Sequence, residues 1–157
     1  MTRNISLHDV EDRDLLVFFA QQQDPEATRM AAFPSRGHDA FMTHWATVLD
    51  EETVLVRTIF LGPKIAGHIV SWPQAGQRKL GYWLGREYWG QGIASAAVSQ
   101  FLKLETTRPL LAHVTRHNLA SLRVLQKSGF QVTGEGTFAY TPDSEPGEEF
   151  ILTLGIT

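Results

Sequence analysis

Hydrophobic and polar positions change period several times along this chain, and the changes divide it into elements. A short strand is predicted at residues 4–7. Residues 9–22 carry Leu15, Leu16, Phe18 and Phe19 on one side, which predicts a helix. Residues 38–49 repeat that spacing with Phe41, Met42, Trp45 and Val48. Between them, 23–37 contains two prolines and reads as irregular or partly helical. From residue 53 the period falls to two. "TVLVRTIF" (53–60), a Gly62-Pro63 turn and "KIAGHIVSW" (64–72) predict a hairpin, and "RKLGYWLG" (78–85) a third strand. Helical spacing returns at 91–105, with Ile93, Ala97, Phe101 and Leu104 on one side. "PLLAHV" (109–114) is almost wholly apolar, as a strand covered on both faces should be. A helix at 118–128 and strands at 130–140 and 148–156 complete the pattern. The order β-α-α-β-β-β-α-β-α-β-β predicts an α/β fold, with one mixed, mostly antiparallel sheet flanked by helices. The unit from 78 to 114 should be a right-handed crossover.

Composition narrows the chemistry. The chain has 157 residues, 43% hydrophobic and 20% charged, which suits a single globular domain over 1–157. The net charge of −3 gives no footprint for nucleic acid. With no cysteine, disulfides, thiolate catalysis and cysteine zinc sites are all excluded. His113 and His117 are four apart, but at a strand end and a loop, so a metal pair is not expected. The longest uncharged apolar stretch, 92–102, is too short and too polar to span a bilayer. No leader-like run precedes the first polar residues. The expectation is a cytoplasmic protein, monomeric or homodimeric.

The most informative stretch is "REYWGQGIAS" (86–95). Two glycines at a helix start remove side chains where backbone N–H groups lack partners, and that favours an anion. A P-loop would require Gly-Lys-Ser/Thr where this chain has Gly92-Ile93-Ala94. A dinucleotide fingerprint is matched in part by Gly90-x-Gly92-x-x-Ser95. It also needs an acidic residue after the next strand, which ends Ala112-His113-Val114. A plain turn and helix start is the simplest alternative. Downstream, "NLASLRVLQKSGF" (118–130) has a full structural explanation: Asn118 as N-cap, Leu122 and Leu125 packed inward, and Gly129 past the helix end.

Together, "GYWLGREYWGQGIASAAV" and "NLASLRVLQKSGF" resemble the GNAT N-acetyltransferase superfamily, and within it the ribosomal-protein N-terminal acetyltransferases. That resemblance implies acetyl-CoA as acyl donor, with no metal, and transfer to an amine by direct attack. The acceptor would be a protein N-terminal α-amine, with a small amine or antibiotic as the rival. A non-catalytic acyl-CoA sensor is a further alternative. The implied cofactor-binding residues are Trp83, Leu84, Trp89, Gly90, Gln91, Gly92, Ile93, Ala94, Asn118, Ser121 and Lys127. The backbone cradle is expected from about Trp89 to Ala94. Arg86, Arg116 and Arg123 are further candidates for an outer phosphate. Glu87 departs from the family's loop pattern. Leu125 stands where many members carry a proton-donating tyrosine, which leaves Ser121 as the hydroxyl nearest that role. His113 stands where a glutamate base sometimes occurs, and His113 and Ser121 are therefore the catalytic candidates. Tyr82 and Trp83 read chiefly as core or pocket wall, and His68 as structural or pocket-lining. Acceptor contacts are expected from 23–37 and from the acidic 140–148 loop, with Asp143, Glu145, Glu148 and Glu149.

Overall fold

A computed structural model describes residues 4–31, 36–138 and 147–155. In chain order the elements are β1 (Ile5–His8), α1 (Asp12–Gln22), α2 (Pro25–Ala31), α3 (His38–Asp50), β2 (Leu55–Leu61), β3 (Lys64–Gln74) and β4 (Gln77–Leu84), followed by a 3-10 turn (Arg86–Tyr88). Next come α4 (Ile93–Phe101), β5 (Leu110–Thr115), α5 (Leu119–Lys127), β6 (Gln131–Phe138) and β7 (Gly147–Leu154). The expected α/β order is present, and the stretch read as partly helical contains the seven-residue α2. Two candidate acceptor residues, Asp143 and Glu145, lie outside the described residues.

The strands form one seven-stranded sheet in the order β1-β2-β3-β4-β5-β7-β6. Every pairing is antiparallel except β4 with β5. That parallel pairing covers just three positions, Arg78–Leu80 opposite Leu110–Ala112. Beyond Leu80 the two strands lose each other, and the sheet opens in its middle. β3 stays pressed against β4 there: a Cβ on Gly67 would stand 1.9 Å from the Trp83 carbonyl oxygen, so the approach requires glycine.

Two apolar layers cover the sheet. On one face α4 and α5 pack Ile93, Phe101 and Leu125 against Ile59, Leu80, Ala112 and Leu152. Each such side chain, fully buried, contributes roughly 1.5–3 kcal/mol. On the other face Leu15, Phe18, Phe41 and Trp45 of α1 and α3 meet Val56 of β2. His68 of β3 sits in that aromatic layer, its ring 4.9 Å from Phe18 and 4.8 Å from Trp45. Its Nδ1 is shut off from water without a hydrogen-bond partner. Burial, with a smaller push from His44, lowers its pKa to about 3, so the ring is neutral.

α4 is shorter than the apolar spacing predicts. It starts at Ile93 because Gly90 (φ +72°) and Gly92 (φ +79°) are left-handed. It ends at Phe101, and Leu104 is turned outward, 49% exposed. The chain turns away because Glu105 is drawn inward. Its Oε1 accepts from Ser71 Oγ at 2.5 Å and from Arg78 Nε at 2.6 Å, and its Oε2 from the Thr107 N–H at 3.2 Å. Burial alone would raise this carboxyl's pKa, but those donors hold it below the ordinary value. Arg78 also reaches the Thr53 carbonyl. The cluster ties β3, β4 and the end of α4 together at the closed end of the β4–β5 pair.

Candidate functional site

The cradle grows directly from the glycine pair. The 3-10 turn uses the Tyr88 and Trp89 N–H groups on the Gly85 and Arg86 carbonyls, at 2.9 and 3.1 Å. The Trp89 amide, counted in the expected cradle, is therefore engaged within the turn, and its indole Nε1 donates to Leu84 O at 3.1 Å. The first α4 bond runs from the Ala96 N–H to the Gly92 carbonyl at 3.2 Å. Between these, the N–H groups of residues 90–95 have no backbone acceptor among the described residues. Gly92 is the N-cap, and no side chain caps it. A Cβ at Gly90 or Gly92 would meet nothing within 4 Å, so the space before these amides is open. Bare N–H groups at the positive end of a helix favour an anion.

The open space belongs to a cavity of about 340 Å³, within the range of small-molecule sites. Of the residues expected at the cofactor site, Trp83, Leu84, Trp89, Gly90, Gly92, Ile93, Ala94, Asn118 and Ser121 line it. Gln91 and Lys127 do not. The Gln91 side chain turns back onto the Glu87 carbonyl at 2.7 Å, so it can serve the cradle through its backbone. Lys127 is exposed at the last turn of α5. Of the cations named from sequence, Arg123 lines the cavity, Arg86 pairs with Asp24 at 3.1 Å, and Arg116 meets Glu135 and Glu148 at 3.3 and 3.7 Å.

α5 forms the second wall. Asn118 Oδ1 accepts the Ser121 N–H at 3.2 Å, as an N-cap should. At the other end Phe130 N–H reaches Leu125 O and Gly129 N–H reaches Gln126 O, at 3.0 and 3.1 Å, a Schellman pair. So anchored, the helix turns Leu125 into the core, 2% exposed, and Ser121 into the cavity. Across the opening between the strands, Tyr82 Oη of β4 donates to Ser121 Oγ at 2.9 Å. Burial raises the tyrosine pKa, and the bond to Ser121 opposes that shift.

His113 occupies the first β5 position beyond the β4 pairing. Ala112 shares its face with Leu80, so by alternation His113 points to the opposite side of the sheet from Tyr82. It stands outside the cavity lining, with its Nδ1 2.8 Å from Glu149 Oε1 of β7. α2 closes over this side. Thr115 Oγ1 donates to Met30 O at 2.9 Å, and His117 Nε2 lies 3.0 Å from Arg29 O. Ala27 and Met30 of α2 join the cavity wall. The cavity thus runs from the cradle to α2, with the Tyr82–Ser121 pair at the gap between strands. Sequence reasoning named Tyr82 as wall and Glu149 as rim, but foresaw neither hydrogen bond. Their partners lie 39 and 36 residues away, and no spacing rule connects them.

Residues 4–131 match the acetyltransferase (GNAT) domain family. The chain belongs to this family. No curated protein matches its sequence. Among solved structures, spermidine N-acetyltransferase from Vibrio cholerae, in complex with CoA and spermine, is 11% identical. The match covers 96% of this chain and 94% of that one, with a TM-score of 0.82. A GNAT-family acetyltransferase from Bacillus anthracis is 17% identical over 98% and 95% of the two chains, with a TM-score of 0.81. Mycobacterium smegmatis RimJ, in complex with CoA-disulfide, is 20% identical over 96% and 81%, with a TM-score of 0.76. At these identities the likeness is one of fold, and it does not single out a branch of the GNAT family. Among the described residues, no histidine or carboxylate cluster could hold a metal ion, and no helix is long and apolar enough to cross a membrane.

Proposed function

We propose that this GNAT-family chain transfers an acetyl group from acetyl-CoA to an α-amine, of the kind found at a protein N-terminus, by direct attack within a ternary complex in the cytoplasm. The carrying observation is one continuous cavity that joins free N–H groups at 90–95 to the Tyr82–Ser121 hydroxyls at the opening between β4 and β5. The residues present fit the donor. A diphosphate needs several hydrogen-bond donors at short range, which the cradle amides supply, and Arg123 is placed for a further phosphate. Acetyl-CoA supplies the activated acyl group. As the amine nitrogen bonds to the acyl carbon, the C–S bond breaks and its electron pair leaves on sulfur. Ser121 Oγ–H hydrogen-bonds to that developing thiolate, and His113 Nε2 takes the amine proton, directly or through water. Glu149 supports this assignment: accepting from His113 Nδ1–H, it leaves Nε2 as the basic nitrogen.

Two considerations favour an α-amine. With a pKa of about 8, it is roughly a tenth neutral at pH 7, whereas a lysine-type amine near 10.4 is neutral only about four parts in ten thousand. An imidazole can handle the first case without a stronger base. The rim carboxylates Glu135, Glu148 and Glu149 also each have an arginine or imidazole neighbour, which lessens their pull on a polycation. Glu135 and Glu148 face Arg116, and Glu149 faces His113.

The test is thiol release from acetyl-CoA against terminal peptides, polyamines, free amino acids and aminoglycosides. Peptides should be preferred, with intersecting initial-rate lines. Preference for a polyamine or an aminoglycoside would move the acceptor to small amines. Parallel lines would overturn direct attack, and CoA binding without turnover on any acceptor would make the chain a sensor.

A further inference from the structure

Two serines, one within α5 and one at its C-cap, use their hydroxyls differently. Ser128 Oγ back-bonds to the Val124 carbonyl one turn earlier, at 2.9 Å, as a helical serine commonly does. Ser121 makes no such bond, and its Oγ–H has no acceptor among the described residues. Its oxygen instead accepts from Tyr82 Oη. A hydroxyl that accepts one hydrogen bond is a better donor of the next, because the chain polarises along its length. The geometry therefore holds Ser121 with its lone pair engaged and its proton free toward the cavity. Tyr82 is held in turn by its strand, and its part-buried hydroxyl needs a partner, which Ser121 provides.

We infer that Tyr82 is a positioning residue for the leaving group: its hydroxyl fixes and polarises Ser121, so that the two form a relay Tyr82 Oη–H···Ser121 Oγ–H···S. The inference rests on the proposed thioester chemistry at Ser121 and adds to it. It also gives a physical meaning to Leu125. That position, one turn after Ser121, is packed into the core, so the hydrogen bond to sulfur falls to Ser121, itself supported by a strand residue on the far side of the gap. No proton leaves the tyrosine. The sulfur departs as a thiolate, the serine hydrogen bond stabilises it, and the tyrosine bond keeps the serine aimed. Arg123 is the one charged side chain among the described lining residues, and it is unchanged in the variants below.

The experiment combines Tyr82→Phe, Ser121→Ala and the double variant, each with two readouts. The first is kcat with a fixed acceptor. Ser121→Ala should lose roughly tenfold and Tyr82→Phe roughly threefold to tenfold, while the double variant loses no more than Ser121→Ala alone. The second needs no turnover: the thiol pKa of bound CoA, read from thiolate absorbance, against about 8.5 for a free thiol. It should be depressed in the parent, less so in Tyr82→Phe, and least in Ser121→Ala. Affinity for CoA and melting temperature should stay near the parent in both single variants. A Tyr82→Phe protein with the parent's kcat and thiol pKa, beside an impaired Ser121→Ala, would overturn the relay and leave Ser121 acting alone. A Tyr82→Phe loss that persists undiminished in the Ser121→Ala background would overturn it too, making Tyr82 independent. If Ser121→Ala moves neither readout, the leaving-group role of Ser121 falls, and the relay with it.

Discussion

At one end of the cavity, the backbone N–H groups of residues 90–95 have no backbone acceptor among the described residues, and the space beside Gly90 and Gly92 is open. Farther along, the candidate side chains come in pairs from distant segments: Tyr82 with Ser121 in the cavity wall, and His113 with Glu149 outside the lining, on the opposite side of the sheet from Tyr82. Under the proposed function the first region would bind through the main chain, so it would depend on conformation and hardly on side-chain identity. The second depends on side-chain atoms meeting across strands that the sheet has forced apart. The contrast teaches that the donor end should fail when the backbone is obstructed or strained, and the reacting end when a single polar atom is removed.

The largest expected effect comes from obstructing the main chain. Gly92→Val should weaken CoA binding roughly 10²-fold, equivalent to ~3 kcal/mol of lost charge-assisted hydrogen bonds. Gly92 has φ +79°, so a β-branched residue there also adds strain of order 1–3 kcal/mol, and the melting temperature should fall as well. Gly92→Ala separates the two, since it keeps strain in the left-handed conformation but adds a single methyl. If calorimetry finds parent affinity for Gly92→Val, the cradle does not hold the donor.

At the reacting end, His113→Ala should lower kcat roughly 10²-fold with CoA affinity intact, in keeping with loss of a general base. Parent turnover from pH 6 to 9 would make that histidine structural. Glu149→Gln preserves shape and removes the charge that steers the imidazole. A fall of roughly tenfold in kcat, with a changed pH profile and unchanged CoA affinity, is expected. A variant that alters only stability would break the analogy between the two side-chain pairs.

The last comparison leaves activity aside and tests the stability of the layer behind the reacting end. His68 is held neutral, with its pKa lowered from 6.5 to about 3. A depressed histidine contributes stability fully above the unfolded pKa and loses it as pH falls, so the window runs from 6.5 down to about 3. The slope from this residue is at most about 1.4 kcal/mol per pH unit. Urea unfolding across that window should show the slope in the parent and a flatter line in His68→Phe. Equal slopes would mean that the ring charges within the folded protein.

The sequence by itself determined the element order, the mixed sheet with its crossover, the glycine pair that starts α4, the Asn118 cap and the inward face of α5. Each is a local matter, set by hydrophobic period, by glycine's access to positive φ, or by a side chain reaching its own helix start. Boundaries were less legible. α4 stops at Phe101 because Glu105 is captured by Arg78 and Ser71, residues 27 and 34 positions away. Tertiary structure alone decided which cations face the cavity, that Gln91 and Lys127 stand outside its lining, and that Tyr82 meets Ser121 while His113 meets Glu149. The physical reason is range. A hydrogen bond needs two atoms within about 3 Å, and once a chain has folded over tens of residues, that proximity follows from sheet register and strand divergence rather than from any spacing along the sequence.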